Sequence, residues 1–387
     1  MVEPEITVLQ LIKGLDFGNH SGGSDKFGFE LTKALRDEGI QVRLACLNRF
    51  DTEVEQEILS ELRSLSIPFV FIEGKSQLAK INSSQLTKFC LQHGINIINS
   101  HFQVGTLAAI RARKFGYKGK IARTAHIDKE WGDGLLAWIL RQIFTKVIFP
   151  IKTDIQVGVS KNIVNTVNDY LGTRLIRRQA IVIHNGISKN WFEPVPEKKD
   201  FSKKRKLIGS MGLLIERKGY QFLIEAMPKV LAHYPDYELI ILGEGSYRPI
   251  LEQQILNLGL QGKIKLIGRQ TDPRFWLEQM DLFVLPSLIE GLPTVIIESM
   301  ARGVLVVASD IPGNDELILE GETGWLVRAR SSDELADTIL RVFSDPLLYG
   351  KVSSQAFSRA RELTIEKAAK KYVLLYKQAI KDLAQEQ

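Results

Sequence analysis

The chain has 387 residues, of which 44% are hydrophobic, and a formal net charge of +6 at pH 7. Ordinary apolar content at this length predicts two or three domains with buried cores, and the lack of an 18-residue apolar run argues against a membrane span. Cys46 and Cys90 are too few for a disulfide framework. Because the acidic N-terminus also shows no signal peptide, we expect a cytoplasmic protein with reduced cysteines.

Positive charge is concentrated in residues 111–180, which hold fourteen Lys and Arg against five Asp and Glu. A solvated basic face would account for this excess. Residues 135–152 also mix bulky apolar side chains with Arg141, Lys146 and Lys152. That mixture favours contact with an anionic acceptor or with anionic lipid, at the inner face of the cell membrane. Nucleic acid is disfavoured, because no binding motif is present.

The chain opens with a short apolar run, residues 6–12, that predicts a strand buried on both faces. A glycine-rich loop follows, in which Gly22 and Gly23 precede a helix that ends at Gly39. The loop does not read as G-x-G-x-x-G, so a dinucleotide fingerprint is not supported. The glycine pair either lets the backbone approach a ligand or makes a tight turn, and both interpretations stay open.

Strand and helix patterns then alternate, which predicts a parallel sheet with helices on both faces. Ligands of such sheets collect at the carboxyl ends of the strands, where His101 and His126 lie. A structural role is the preferred interpretation for His101. Ser160 stands where a strand meets a helix, so we expect it to cap that helix.

A lysine-rich, proline-containing stretch at residues 188–204 is typical of an interdomain linker. A second alternating set follows, with helices predicted at 219–233, 246–258, 273–280 and a last one through 319. The tail, residues 362–384, has apolar residues at helical spacing.

The most informative stretch is residues 284–298, VLPSLIEGLPTVIIE. A strand ends here, Gly291 and Pro293 break it, and a helix begins with Pro293 able to take its first position. The amides around Gly291, Leu292 and Thr294 would then point outward and suit phosphate oxygens. Glu290 and Glu298 would repel phosphate, so we expect them to accept hydrogen bonds from sugar hydroxyls.

The spacing Glu-x7-Glu, within LIEGLPTVIIESMARGVLVVASDIPGNDELI, resembles the signature of the GT4 family of retaining glycosyltransferases. The resemblance implies the α/β fold called GT-B, in which two doubly wound Rossmann-like domains face each other across a cleft. The implied divisions are an acceptor-side domain at 1–187, the linker at 188–204, a nucleotide-sugar-binding domain at 205–361, and a C-terminal helix at 362–387 that crosses back to the first domain.

The same resemblance assigns site residues. His126 matches the family's Thr-x-His and would lie near the donor sugar and acceptor; Glu290 would hold the donor sugar and Glu298 the ribose. Lys218 would pair with the donor diphosphate, and Arg269 lies where the family contacts the nucleobase. The implied catalytic residues are His126 and Glu290, and the implied donor-binding residues are Gly22, Gly23, Lys218, Gly243, Gly245, Arg269, Gly291, Leu292, Thr294 and Glu298. Backbone packing is an equal alternative for Gly243, Gly245 and the turn at Gly268–Arg269.

The chain departs from the family pattern at one place. Where Gly-Arg-Leu is usual, it has Gly212, Leu213 and Leu214, and a missing charged partner to a diphosphate would cost about 1.5–3 kcal/mol. Arg217 is a poor substitute, because it would have to turn across Lys218. Weaker donor binding, an arginine from elsewhere or an inactive homologue are all consistent with this loss.

The implied reaction is transfer of a hexose from a UDP-sugar or GDP-sugar, with retention, to a lipid-linked or cell-envelope glycan or glycolipid. No further cofactor and no metal is implied, since no Asp-x-Asp stands in a strand context. Two other functions remain open: a GT-B nucleotide-sugar epimerase, and a non-catalytic homologue that scaffolds polysaccharide assembly. A nicotinamide dehydrogenase is disfavoured by the absent fingerprint.

Overall fold

The computed structural model describes residues 5–17, 20–72, 82–126, 135–194 and 206–385. The chain forms two compact units: unit 1 comprises residues 1–186 and 365–387, and unit 2 comprises residues 187–364. We expect the acceptor at the loops near residues 14–24 and 127–140. Residues 18–19 and 127–134 of these loops lie outside the described residues, as do residues 195–204 of the predicted linker.

Unit 1 is built on a parallel sheet that has seven strands among the described residues, in the order β3-β2-β1-β4-β5-β6-β7. The strands are β1 Thr7–Ile12, β2 Gln41–Cys46, β3 Phe69–Phe71, β4 Ile97–Ser100, β5 Lys120–Ala125, β6 Ile155–Gly158 and β7 Ile181–Val182. Strand β1 is buried along its whole length because it pairs with both β2 and β4 and is covered on both faces.

Helices alternate with these strands. They are α1 Gly23–Asp37, α2 Glu53–Ser64, α3 Ser83–Gln92, α4 Gln103–Ala112, α5 Leu135–Ile143, α6 Phe149–Lys152, α7 Lys161–Asn168 and α8 Leu171–Ile176. A 3₁₀ turn, Arg113–Phe115, follows α4, and a π-helical turn, Phe144–Ile148, joins α5 to α6. Ser160 caps α7 as predicted, because its Oγ accepts a hydrogen bond from the Ile163 amide at 3.2 Å.

Unit 2 repeats the plan with a parallel sheet whose described strands run in the order β10-β9-β8-β11-β12-β13. The strands are β8 Lys206–Met211, β9 Tyr237–Leu242, β10 Ile264–Gly268, β11 Leu282–Leu285, β12 Leu305–Asp310 and β13 Trp325–Arg328. The helices are α9 Tyr220–His233, α10 Arg248–Asn257, α11 Pro273–Gln279, α12 Thr294–Ala301, α13 Ser332–Ser344 and α14 Pro346–Ala360, with 3₁₀ turns at Lys189–Phe192 and Glu216–Lys218.

The last helix, α15 Ile365–Gln385, packs within unit 1. Its Tyr372 and Tyr376 are fully buried in a core that also contains Phe27 and Leu31 of α1 and Val8 of β1. Unit 1 is therefore completed by a segment that follows the whole of unit 2 in the sequence.

The prediction of two doubly wound parallel sheets is confirmed. Cys46 and Cys90 are free and buried, as expected, and none of the described helices is long and apolar enough to cross a membrane. The helix predicted through residue 319 is wrong: residues 312–317 form hydrogen-bonded turns. Gly313 adopts φ +95°, and the Asn314 side chain donates to the Ser309 carbonyl, so the chain there cannot wind regularly.

Candidate active site

The stretch at residues 284–298 forms a strand, a turn and a helix, as predicted. The four residues of β11 are all buried, because this strand lies between β8 and β12. Helix α12 begins one residue later than expected. Pro293 is its N-cap, with ψ 113° in the extended region, so Thr294 takes the first helical position instead of the proline.

Glu290, in the turn before α12, forms an ion pair with Lys218. The Glu290 Oε1 lies 2.7 Å from Lys218 Nζ and accepts a second hydrogen bond from Ser287 Oγ at 2.7 Å. Both charged side chains are largely buried, with 12% of Lys218 and 7% of Glu290 exposed. Shielding from water strengthens the attraction, so Glu290 holds the Lys218 ammonium in a fixed place.

One backbone and one side-chain hydrogen bond join the turn that carries Lys218 to the turn that carries Glu290. The Leu288 amide donates to the Arg217 carbonyl at 2.8 Å, and the Arg217 guanidinium donates to the Ile289 carbonyl at 3.2 Å. Strands β8 and β11 are neighbours, so the carboxyl ends from which the two turns emerge lie side by side. Arg217 thus stabilises the Glu290 turn.

Glu298, the fifth residue of α12, is buried, with 2% of its surface exposed. It interacts with another group of the chain, as a buried carboxylate must. Glu298 is therefore not a solvated surface residue. The backbone of Gly291 and Leu292 packs closely against Gly313, since a Cβ on Gly313 would overlap the Gly291 carbonyl oxygen.

Two glycines near Lys218 are required by the backbone. Gly219 has φ +70° and Gly243 has φ +135°, values that residues with a Cβ rarely adopt. A Cβ at Gly219 would overlap the Pro286 carbonyl oxygen, and one at Gly243 would overlap that of Gly212. Gly245 is packed in the same way against Leu214. Backbone packing therefore accounts for Gly243 and Gly245, and a role in donor binding stays a prediction.

Arg269 directly follows β10, where Gly268 has φ +74°. It interacts within the chain. Arg248 of α10 donates to Glu244 Oε1 at 2.6 Å and to the Leu266 carbonyl at 2.9 Å. These bonds hold the segment after β9 against β10, and contact of Arg269 with the nucleobase stays a prediction.

Gly22 and Gly23 lie at the start of α1 in unit 1, with Gly22 as the N-cap at φ −99° and ψ −170°. That extended conformation is open to any residue, so a strained turn does not explain the pair. A Cβ on either glycine would meet nothing within 4 Å among the described residues. A ligand could therefore contact the backbone of the two glycines directly.

Asp25, which the sequence reasoning missed, holds this glycine loop. Its Oδ1 accepts from the Lys13 amide at 2.8 Å and its Oδ2 from the Gly22 amide at 3.1 Å. Burial raises the pKa of Asp25 above its ordinary value, although both amides and the nearby Lys13 charge lower it. An acidic residue three positions after the N-cap was the available signal.

His126 and His101 contact each other inside unit 1. His101 Nδ1 lies 3.2 Å from His126 Nε2, and the exposed fractions are 1% for His101 and 8% for His126. Burial lowers the pKa of His126 to about 3; burial and then the neighbouring His126 lower the pKa of His101 well below its ordinary value. Both imidazoles are therefore neutral at physiological pH.

The structure thus brings Lys218 and Glu290 together and places Gly243, Gly245 and Gly291 in turns of the same unit. His126, Gly22 and Gly23 belong to unit 1.

Two family models match the chain in succession: "Glycosyltransferase Family 4" over residues 21–191 and "Glycosyl transferases group 1" over residues 192–360. The chain belongs to the GT4 family of glycosyltransferases. The family assignment from the Glu-x7-Glu stretch is therefore confirmed, and glycosyltransferase activity is the function of the family.

Among relatives, an uncharacterized glycosyltransferase of Haemophilus influenzae is 30% identical over 174 residues, which are 45% of this chain and 49% of that protein. The match thus spans about half the length of that relative. A phosphatidyl-myo-inositol mannosyltransferase of Mycobacterium leprae is 24% identical over 84% of this chain and 85% of its own.

Solved structures share the fold over nearly the whole chain. A glycosyltransferase from Rickettsia africae superposes with a TM-score of 0.79 at 20% identity, covering 97% of this chain and 99% of its own. The Anabaena protein HepE, in complex with UDP-glucose, gives a TM-score of 0.77 at 20% identity, covering 98% of this chain and 100% of its own. The GT4 chain described here has the GT-B fold, as expected.

Proposed function

We propose that this GT4 protein is a retaining, metal-independent hexosyltransferase that uses a UDP-sugar or GDP-sugar and a lipid-linked or cell-envelope glycan acceptor. The observation that carries the proposal is the contact of Lys218 with Glu290 beside the start of α12. It pairs a cation, which suits a diphosphate, with a carboxylate, which suits a sugar hydroxyl, in the turn that leads into α12. The amides at the start of that helix would add to the binding of a diphosphate. The names of the Mycobacterium leprae and Anabaena proteins support a lipid acceptor and a UDP-linked donor.

In this reaction the bond between the anomeric carbon and the diphosphate oxygen breaks, and negative charge develops on the departing diphosphate. The Lys218 ammonium and the amides at the start of α12 would stabilise that charge. The acceptor oxygen forms its bond on the face that the diphosphate leaves, which gives retention. Glu290 would orient the donor sugar and Glu298 the ribose, while His126 of unit 1 would contact a hydroxyl near the reacting carbon.

The test is transfer and donor binding by Glu290→Gln and Lys218→Ala. We expect Lys218→Ala to weaken UDP binding about tenfold or more in calorimetry, and Glu290→Gln to abolish transfer while the protein stays folded. The matched control is Lys265→Ala, which breaks a similar 2.8 Å ion pair with Glu238 outside the proposed site. Full transfer by Glu290→Gln would remove Glu290 from the reaction, and inactivation by EDTA would contradict a metal-independent reaction.

A non-catalytic homologue is the second candidate, and the absent arginine at position 213 favours it. Leu213 is half-buried, and the Arg217 guanidinium bonds the Ile289 carbonyl. Donor binding separates the candidates: a scaffold protein would bind none of UDP, GDP, ADP and their sugars in a thermal-shift screen. A transferase is expected to be stabilised by one of them.

The basic and apolar residues of 135–152 support an acceptor at an anionic membrane. Trp138, Ile139 and Ile143 are exposed on α5, and Lys146 is exposed on the π-helical turn. Helix α8, which the sequence reasoning missed, packs on this segment: a Cβ on Gly172 would lie 3.0 Å from Pro150 Cβ. Its Leu171 and Leu175 are also exposed, and so is Arg174 on the same helix, so α8 too presents apolar and basic side chains to solvent.

Vesicle sedimentation tests this contact. We expect binding to phosphatidylcholine vesicles that contain phosphatidylglycerol, weaker binding without it, and weaker binding at high salt. Leu175→Ser should reduce binding. The control is Leu374→Ser on α15, because Leu374 and Leu175 are similarly exposed, at 69% and 64%. Equal loss in both variants, or no binding to either lipid, would contradict a location at the inner face of the cytoplasmic membrane.

A further inference from the structure

A chain of buried polar side chains crosses one face of the unit 1 sheet and ends at His126. Gln10 of β1 and Asn99 of β4 are register partners and hydrogen-bond through Asn99 Nδ2 and Gln10 Oε1 at 2.9 Å. His101, just beyond β4, contacts Gln10 Oε1 through Nε2 at 2.8 Å. These polar residues interrupt otherwise apolar strands, which was the signal available in the sequence.

The hydrogen-bond donors and acceptors of this network of polar side chains can be assigned one after another, starting at Tyr372 of α15. Thr124 Oγ1 donates to Asn99 Oδ1 at 3.1 Å, so the Tyr372 hydroxyl, 3.0 Å from Thr124 Oγ1, is the donor to it. An amide whose oxygen accepts from Thr124 must turn its nitrogen toward Gln10, and Gln10 presents its oxygen in return.

The Gln10 oxygen then determines the tautomer of both histidines. Because Gln10 Oε1 is an acceptor, the His101 nitrogen 2.8 Å away, Nε2, carries the proton. A neutral imidazole has one N–H, so His101 Nδ1 is an acceptor and receives the proton of His126 Nε2 across 3.2 Å. His126 Nδ1 is left with its lone pair, and His126 makes no other hydrogen bond in the part of the chain that the structure describes.

We propose that His101 is a positioning residue that holds His126 in the Nε2–H tautomer, so that His126 Nδ1 accepts a hydrogen bond from a hydroxyl of the bound sugar. This inference rests on the proposed transferase function and adds which nitrogen of His126 meets the hydroxyl and which residue sets its protonation. A hydroxyl can donate to an unprotonated nitrogen, whereas the other tautomer would present an N–H there and require an acceptor.

The surroundings hold both rings in place. The Phe27 ring meets the His101 and His126 rings edge-on, with centroids 5.9 and 5.5 Å away. Gly28, the next residue of α1, leaves room for His101: a Cβ there would lie 3.0 Å from His101 Cδ2. Low pKa values keep both imidazoles neutral, so each has one proton to place.

The first test is the tautomer itself, read from two-bond nitrogen–proton correlations of ¹⁵N-histidine-labelled protein without ligand. We expect the His126 Nδ1 signal of an unprotonated nitrogen and the Nε2 signal of a protonated one. Gln10→Met should reverse both tautomers, because Asn99 Nδ2, 3.3 Å from His101 Nε2, then becomes the donor to that ring. A protonated Nδ1 on His126 in the unaltered protein overturns the assignment.

The second test is kinetic. His101→Phe removes the acceptor for His126 Nε2–H, and we expect kcat to fall about tenfold with the KM for the nucleotide sugar little changed. His101→Asn offers an amide oxygen near the position of Nδ1 and should restore most of kcat. Should His101→Phe not fold, Gln10→Met is expected to lower kcat in the same way.

Full kcat in Gln10→Met with reversed tautomers would overturn the positioning role. The expected tautomer in a protein that transfers no sugar would count against the proposed function and would leave the proton assignment supported.

Discussion

Leu213 leaves the turn after β8 without a charge at the position where the family pattern has an arginine. The Lys218 ammonium lies beside this turn, since a Cβ on Gly212 would be 3.7 Å from Lys218 Nζ. The ammonium is also shared with Glu290, so a bound diphosphate would receive less than one full positive charge from Lys218.

Leu213→Arg should therefore raise the affinity for the donor nucleotide about tenfold, the value of one added charged hydrogen bond. Calorimetry with UDP and GDP measures this, and Leu213→Met is the uncharged control. Unchanged or weaker binding by Leu213→Arg would show that the side chain at position 213 does not reach the phosphates.

The buried histidines make the stability of unit 1 depend on pH. Below pH 6.5 the unfolded chain binds a proton at His126, whereas the folded chain does not until about pH 3. Lowering the pH therefore favours the unfolded state, and the stability present above pH 6.5 is lost as the pH falls. At pH 5 the loss from His126 is about 2 kcal/mol, and His101 adds to it.

Urea unfolding at about pH 5 and pH 7.5 measures this loss in the free energy of unfolding. The proteins to compare are the unaltered protein and the double variant His101→Phe/His126→Phe. We expect a smaller difference between the two pH values in the double variant, and an unaltered difference in His93→Gln, which changes an exposed histidine of the same unit. The same pH dependence in all three proteins would mean that the buried imidazoles are not the groups that titrate.

At the scale of elements, the sequence predicted the strands and helices that have a clear apolar period or run, because burial on one or both faces imposes that period. Helix α9 was expected at 219–233 and spans Tyr220–His233. The turns at residues 312–317 were missed, because side-chain bonds such as that of Asn314 to Ser309 compete with a helix and leave no periodic trace.

Contacts within the candidate site were less predictable than the elements. The Glu-x7-Glu spacing identified Glu290, but its ion pair with Lys218 joins residues 72 positions apart. The partner of His126 is 25 positions away, just after the neighbouring strand β4. Such pairs depend on strand order and register, which local pattern does not determine.

Helix α1 approaches the sheet at Gly28, and a substitution there tests how closely. In Gly28→Ala the new Cβ would lie 2.5 Å from Ile12 Cγ2 and 3.0 Å from His101 Cδ2. We expect a loss of about 1–3 kcal/mol in the free energy of unfolding. Gly23→Ala, in the same helix, meets no described atom within 4 Å and should be neutral or slightly stabilising.

Thermal and urea unfolding compare these two variants. If the open space beside Gly23 holds a ligand, Gly23→Ala should also weaken binding of donor or acceptor without loss of stability. Equal stability of the two variants would mean that α1 can move away from His101 at little cost.

At the scale of the whole molecule, unit 1 is discontinuous in the sequence whereas unit 2 is one continuous segment, residues 187–364. The difference follows from α15, which supplies Ala369, Tyr372 and Tyr376 to the core beneath α1. Tyr372 also binds Thr124 on β5, so the helix contributes polar contacts as well as apolar ones.

The two units should therefore behave differently when expressed as fragments. Burial of two tyrosines and several aliphatic side chains of α15 is worth about 1.5–3 kcal/mol for each large side chain, and domains of this kind are stable by about 5–15 kcal/mol. A fragment of residues 1–186 lacks the stabilisation that the buried side chains of α15 provide, so we expect it to show no cooperative thermal transition. The fragment 187–364 should unfold cooperatively. Adding residues 365–387 to fragment 1–186 through a short flexible linker should restore a transition, and one already present in 1–186 alone would show that α15 is dispensable to the core.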